Sequence, residues 1–132
     1  MNYFIIFLMH LFRFLVLIII NIILHELGHL IIAKTVGCGV SIFSIGFGKP
    51  IYSFEYKETR YNFTPLLLGG YVKLHDELTV GKDKDSFTNL PYHKKLLIAI
   101  AGCSVNIIIG IIFYLIGLKT LNFNIFYFGK TT

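Results

Sequence analysis

The segment at residues 14–33, FLVLIIINIILHELGHLIIA, is almost wholly apolar yet contains His25, Glu26 and His29. An α-helix needs about 20 such residues to cross a hydrocarbon core of about 30 Å. Ionisable groups in hydrocarbon cost roughly 2.5–3.5 kcal/mol each, even on the most lenient insertion scale. Three of them within five residues therefore require a partner that offsets this cost.

The spacing of the two histidines predicts a metal site. Residues four apart on an α-helix turn through about 400°, so both imidazoles project from nearly the same face, one turn apart. Two neutral imidazoles can hold Zn²⁺, and the carboxylate of Glu26 can take a proton from a water that the metal activates. The alternative interpretation is a polar patch between helices, or a chance match. The residue types and their apolar setting favour the metal.

Composition predicts a membrane protein. Of the 132 residues, 55% are hydrophobic and only 14% are charged. A second apolar run, at residues 96–118, is also long enough to cross a bilayer. The predicted fold class is therefore membrane α-helical, with transmembrane helices at about residues 4–34 and 91–118. A cytoplasmic, β-rich and partly membrane-associated loop joins them.

The first half of this loop, at about residues 40–74, has the pattern of β-strands. Apolar and polar residues alternate in parts of residues 40–47 and 51–56, with glycines and Pro50 between the two segments. Residues 57–59 predict a turn, and the alternation that resumes after them predicts a hairpin. The apolar run at residues 66–72 is too short to span. It is either a re-entrant, membrane-dipping element or an ordinary buried strand.

The other loop segments are less regular. Residues 75–89 are polar and predict a surface loop, and residues 119–132 are rich in aromatics, which predicts an interfacial tail. Asn21 lies one turn before His25, and it either contacts a ligand or substrate or bonds across helices. Cys38 and Cys103 do not indicate a disulfide framework.

The distribution of charge predicts the orientation in the membrane. Nine of the 12 basic residues lie between Lys34 and Lys95. Basic loops remain on the cytoplasmic side, so we expect a multi-pass protein of the cell inner membrane with this loop in the cytoplasm and both termini outside. Six acidic residues are interspersed with the bases, which argues against nucleic acid as a partner.

Four ordered elements together resemble the site-2 protease family of intramembrane zinc metalloproteases, especially its bacterial members. They are the His25–His29 motif, FSIGFG at residues 43–48, PLLLGGYVK at residues 65–73, and Ala101-Gly102 with Asn106. The resemblance implies that His25 and His29 bind zinc and that Glu26 is the general base. It implies a substrate-binding role for Asn106, which contacts substrate or orients groups near the metal; simple helix packing is the alternative. It also implies that a strand presents the substrate, and its residues are Gly69, Gly70, Tyr71 and Val72.

The substrates implied by the resemblance are single-span membrane proteins cleaved in regulated intramembrane proteolysis. The family takes its third zinc ligand from an aspartate on a later membrane helix, and no aspartate follows Asp85. Residues 1–132 are therefore expected to form a single incomplete protease core. We expect either a truncated protein, a second chain that supplies the aspartate, or a catalytically inactive relative that acts as a binding or regulatory protein. A ligand from His75, Asp76 or Glu77 is a further alternative.

Overall fold

The computed structural model describes the backbone of residues 2–77 and 84–128, and the side chains of these residues up to Lys119. Two long helices enclose a small sheet in the chain order α1, β1–β4, α2. The helices are α1 (Tyr3–Thr35) and α2 (Tyr92–Phe128), and a 3₁₀ turn (Phe87–Asn89) precedes α2. The strands are β1 (Val40–Phe47), β2 (Tyr52–Tyr56), β3 (Thr59–Phe63) and β4 (Leu66–Leu74).

Both predicted helices are present, and both are long and apolar enough to cross a membrane over Tyr3–Thr35 and Tyr92–Lys119. The second helix was predicted to end near residue 118, but its backbone continues to Phe128. The first ten residues of the expected interfacial tail are therefore helical, and residues 129–132 lie outside the described part. No glycine or proline occurs between residues 118 and 128 to end the helix.

The helices pack closely where Gly28 of α1 faces Ala101 of α2. A methyl group added to Gly28 would lie 2.8 Å from Cγ2 of Val105 and 3.1 Å from the carbonyl oxygen of Ala101. Apolar helices in lipid associate through such small residues, because these let the two backbones approach. In contrast, α1 residues before Asn21 are almost all exposed and make little contact with the rest of the described protein.

The strands form one sheet in the order β2-β3-β1-β4. The predicted hairpin is confirmed: β2 pairs antiparallel with β3, and the turn residues Lys57 and Glu58 have positive φ angles, as a tight hairpin turn requires. β1 lies between β3, to which it is parallel, and β4, to which it is antiparallel. β4 is therefore an edge strand.

The core lies where the end of α1, the start of α2 and the sheet meet. Its buried side chains include Leu30, Ala33, Val40, Phe43, Leu74 and Ile98. The start of β4 does not belong to it, because Leu66 and Leu68 are 51% and 70% exposed. The run at residues 66–72 is thus a strand, but the expectation of an ordinary buried strand is wrong for its first half.

The polar loop is attached to the sheet at the end farthest from these leucines. His75 Nδ1 lies 3.0 Å from Asp85 Oδ2, and the Gly39 amide donates to the Asp85 carbonyl at 2.9 Å. Residues 78–83 of this loop lie outside the described part. Burial, reinforced by the nearby carboxylates of Asp85 and Glu77, raises the pKa of the Cys38 thiol to about 11, so the thiol is neutral and unreactive at physiological pH.

Candidate metal centre

The two histidines of α1 point their outer nitrogens at each other. His25 Nε2 and His29 Nε2 are 3.2 Å apart. Two nitrogens bound at 2.0–2.1 Å to one tetrahedral zinc are separated by about 3.3 Å. The α1 helix alone therefore brings both imidazoles to the separation that a shared zinc ion requires.

Hydrogen bonds from α2 set the orientation of both rings. His29 Nδ1 lies 2.7 Å from the carbonyl oxygen of Ile98, so this nitrogen carries the proton and Nε2 presents its lone pair. Asn106 Nδ2 lies 3.0 Å from His25 Nδ1. A metal on His25 Nε2 needs a proton on Nδ1, and the carboxamide must then turn to present its oxygen. Turning the carboxamide would also give a hydrogen-bond partner to Asn106 Oδ1, which is buried without one in the described structure.

A glycine of α2 leaves the space that a metal would occupy. A methyl group built on Gly102 would lie 2.5 Å from His29 Nε2 and still closer to His25 Nε2. The lone pairs of the two imidazoles thus converge on a space that any larger residue at position 102 would fill. The distance between the nitrogens, the tautomer of His29 and this space all fit a zinc ion held by His25 and His29.

The carboxylate of Glu26 lies beside β4. A methyl group on Gly70 would come within 2.9 Å of Glu26 Cγ, so the absence of a side chain at Gly70 lets the strand backbone approach the carboxylate. The next residue along, Tyr71, is exposed and stacks on Phe47 with ring centroids 6.4 Å apart. On its other side, β4 pairs with no strand among the described residues. Its backbone can therefore accept an extended peptide next to Glu26.

Two cavities share Glu26 and Gly70 but extend in opposite directions along β4. The Asn21 cavity, of about 310 Å³, is lined by Asn21, Ile22, His25, Phe47, Leu68, Gly69 and Asn106. The Lys95 cavity, of about 340 Å³, is lined by His29, Tyr71, Val72, Leu74, Glu77, Phe87, Lys95, Ile98 and Ala99. The residues predicted to bind substrate, Gly69–Val72 and Asn106, therefore all line one or both of these cavities.

A third metal ligand is not present among the described residues. No group of three His, Cys, Asp or Glu side chains in this part of the chain is close enough to hold a metal ion. His75 is paired with Asp85, which argues against the alternative that it reaches the centre. Glu77 lines the Lys95 cavity together with Glu26 and His29, but at this position it does not complete a ligand set.

Sequence reasoning missed two contributors to this centre. Gly102 was named only as part of the Ala101-Gly102 element and was given no role at the metal, although its place in that element was a usable signal. The carbonyl of Ile98 could not have been found, because a backbone acceptor has no residue type that identifies it.

Comparisons with known proteins agree with a zinc-binding site on α1. The model of peptidase family M50 matches residues 13–129. A Campylobacter jejuni protein named "Putative zinc metalloprotease Cj1068" is 44% identical over 97 residues, which cover 70% of this chain and 26% of that protein. Similarly named proteins of Borreliella burgdorferi and Clostridium acetobutylicum are 40% identical over 104 residues and 35% identical over 99 residues. These matches cover 71% and 74% of this chain and 24% and 29% of those proteins. The chain thus spans about a quarter of the length of the curated relatives it matches.

Proposed function

This chain belongs to peptidase family M50, the site-2 protease family, which uses zinc, and from that premise we propose that it is part of an intramembrane zinc metalloendopeptidase. The proposed substrates are single-span membrane proteins, cleaved within or near the bilayer. The observation that carries the proposal is the convergence of His25 Nε2 and His29 Nε2, 3.2 Å apart, beside the carboxylate of Glu26 and an open strand edge.

In this proposal His25 and His29 hold zinc and Glu26 moves the proton. Bound zinc supplies Lewis acidity, which polarises the scissile carbonyl and makes water a better nucleophile. Glu26 takes a proton from the attacking water and later delivers it to the leaving amine, so that the amine departs neutral. The Ile98 carbonyl and Asn106 hold the two imidazoles in the orientation that exposes both Nε2 lone pairs.

Charged residues on the two helices support a position within the membrane. Arg13 and Lys34 are about 32 Å apart along α1 at 1.5 Å per residue, close to the thickness of a hydrocarbon core. The Lys94 ammonium donates to the carbonyl of Val36 at 2.8 Å, so the start of α2 lies level with the end of α1. Basic residues therefore mark both proposed interfaces, and His25 lies about 18 Å from Arg13.

The sheet supports the proposed mode of substrate binding. The end of the sheet near the Asn21 cavity carries six exposed apolar side chains: Phe47, Ile51, Tyr52, Phe63, Leu66 and Leu68. In water they would form a large exposed apolar patch, whereas in a bilayer the lipid would solvate them. We place this end in the bilayer. An unwound substrate would then add to the edge of β4, with backbone hydrogen bonds replacing those of its own helix.

The third ligand is proposed to come from outside residues 1–132, as an aspartate of a second chain or of a longer protein. The lack of a third ligand in the described residues favours one other function, a catalytically inactive membrane protein that binds substrates or regulates a complete protease. Cleavage by the fully assembled protein distinguishes the two.

Metal removal tests the proposal. The purified chain, assembled with its natural partner, is incubated with a single-span test substrate before and after treatment with a zinc chelator. We expect cleavage to fall to background with the chelator and to return with added Zn²⁺ but not Mg²⁺, because imidazole ligands favour Zn²⁺. Cleavage that persists in the chelated, metal-free protein would rule out the metalloprotease mechanism.

The proposed orientation has its own test. Reporter domains fused within residues 34–95 are expected to behave as cytoplasmic, because this segment carries most of the basic residues. Fusions before Arg13 are expected to behave as exported and serve as the control. Exported reporters in the central segment would reverse the orientation and place the metal centre nearer the outer surface.

A further inference from the structure

Two carboxamides line the Asn21 cavity, those of Asn21 and Asn106, and that of Asn21 has no role in the mechanism above. Asn21 lies on α1 one turn before His25 and lines the cavity together with His25, Glu26 and β4 residues. Asn21 is exposed, and its side chain makes no hydrogen bond to another residue that the structure describes. In the proposed position within the bilayer this exposed amide would face lipid, where leaving it unpaired costs roughly 1–3 kcal/mol. A partner outside the described residues is therefore needed to offset this cost.

The cavity indicates what that partner is. It is bounded on one side by the β4 backbone at Leu68, Gly69 and Gly70, and on the other by the helices at Asn21 and Asn106. A peptide that fills it as an added strand has one edge on β4. The amide and carbonyl groups of its other edge would remain unpaired in lipid, and each unpaired group there costs several kcal/mol.

We propose that Asn21 is a substrate-positioning residue that hydrogen-bonds the peptide backbone on the edge opposite β4. The inference rests on the proposed function, since it assumes that an extended substrate lies beside Glu26. A carboxamide suits this role because it offers both a donor and an acceptor, as the peptide bond does. Asn106 is not equivalent, because one end of its carboxamide already lies 3.0 Å from His25 Nδ1.

The geometry also indicates which peptide bond is recognised. Asn21 precedes Glu26 by five residues, about 7.5 Å along the helix. An extended chain rises about 3.3 Å per residue. Asn21 therefore reaches the backbone about two residues from the scissile bond. It holds that backbone without sequence preference, which suits an enzyme that acts on unwound helices.

The test measures binding of a single-span peptide with one Trp to the Glu26→Gln protein in lipid nanodiscs. The chain has no Trp, so Trp emission reports the peptide alone. We expect Asn21→Leu to weaken binding about 3- to 10-fold, the usual effect of one hydrogen bond. Leucine is similar in size and is tolerated in a membrane helix. Ser104→Ala serves as the control. In the part of the chain that the structure describes, the Ser104 hydroxyl bonds only the Ile100 carbonyl within α2, and Ser104 lines neither cavity near Glu26.

Backbone esters make the test specific. A series of peptides each replaces one peptide bond by an ester, which removes a single N–H. The ester about two residues from the scissile bond is expected to weaken binding to the Glu26→Gln protein, which serves here as the parent. The same ester is expected to cause no further loss of binding when Asn21→Leu is also present. Equal effects of every ester on both proteins would overturn the inference while leaving the proposed function intact.

Two other outcomes are decisive. If Asn21→Leu lowers zinc content or thermal stability as much as peptide binding, Asn21 acts in helix packing and the inference is wrong. If the parent protein binds none of the peptides, the proposed function fails at its first step, and the inference fails with it.

Discussion

Replacing Glu26 by glutamine is expected to lower the rate of substrate cleavage about 10³-fold in the assembled protein, with unchanged zinc content. Glutamine keeps the shape of the side chain beside Gly70 but cannot take a proton from water, and general base catalysis contributes about 10²–10⁴-fold. Zinc content is unchanged because the imidazoles of His25 and His29 remain. The measurements are cleavage rate by product analysis and zinc by elemental analysis of the same preparation.

The control for this variant is Glu55→Gln. Glu55 is exposed on β2, and among the described residues it pairs only with Arg60, at 2.7 Å, so its loss removes one negative charge at a cost of at most about 1 kcal/mol. We expect normal cleavage. A Glu26→Gln protein that cleaves at the parent rate would exclude Glu26 as the base. Zinc without cleavage in every form, the parent included, would instead favour a metal-binding or regulatory protein.

Replacing Gly102 by alanine is expected to weaken zinc binding about 100-fold or more. The added methyl group would occupy the space between the two Nε2 atoms, so either the metal is displaced or the helices must separate. Disturbing even an outer partner of a metal site costs 10–100-fold in affinity, and here the cavity itself is filled. Competition with a zinc-binding dye measures the affinity.

Gly110→Ala is the matched control on the same helix. A methyl group there would meet nothing within 4 Å. Both substitutions raise helix propensity by about 1 kcal/mol, so this effect cancels in the comparison. We expect Gly110→Ala to bind zinc like the parent chain. Equal zinc affinity of the two variants would show that His25 and His29 do not share a metal in the space beside Gly102.

Local patterns in the sequence were sufficient for the helices and most strands. The 14–33 run predicted α1, and the turn at residues 57–59 predicted the β2–β3 hairpin, because both depend on neighbours in the chain. The pairing of β1 with β3 and β4 could not be predicted, since it depends on contacts between distant segments. For a different reason, the end of α2 was placed ten residues early: the apolar pattern weakens before the helix stops.

The candidate site, too, was predictable only where its geometry depends on neighbours in the chain. His25 and His29 were identified because the two nitrogens lie on one helix, where spacing alone fixes their geometry. The position of Gly70 against Glu26 was not, because it requires the sheet to fold back along α1. The role of Asn106 could not be decided from the sequence, where substrate contact, metal orientation and helix packing all fit one polar residue in a span. Its contact with His25 Nδ1 now connects it with the imidazole.

The two helices contribute different groups to the metal centre, and this has a thermodynamic consequence for their association. α1 provides both imidazoles, whereas α2 provides the groups that orient them and the glycine that makes room. An ion that binds more tightly when the two helices are docked must stabilise their docking by the difference in binding free energy, because linkage is reciprocal. The affinity for zinc therefore also reports how stably the two antiparallel helices associate. A substitution that weakens their contact far from the ion is expected to lower that affinity as well.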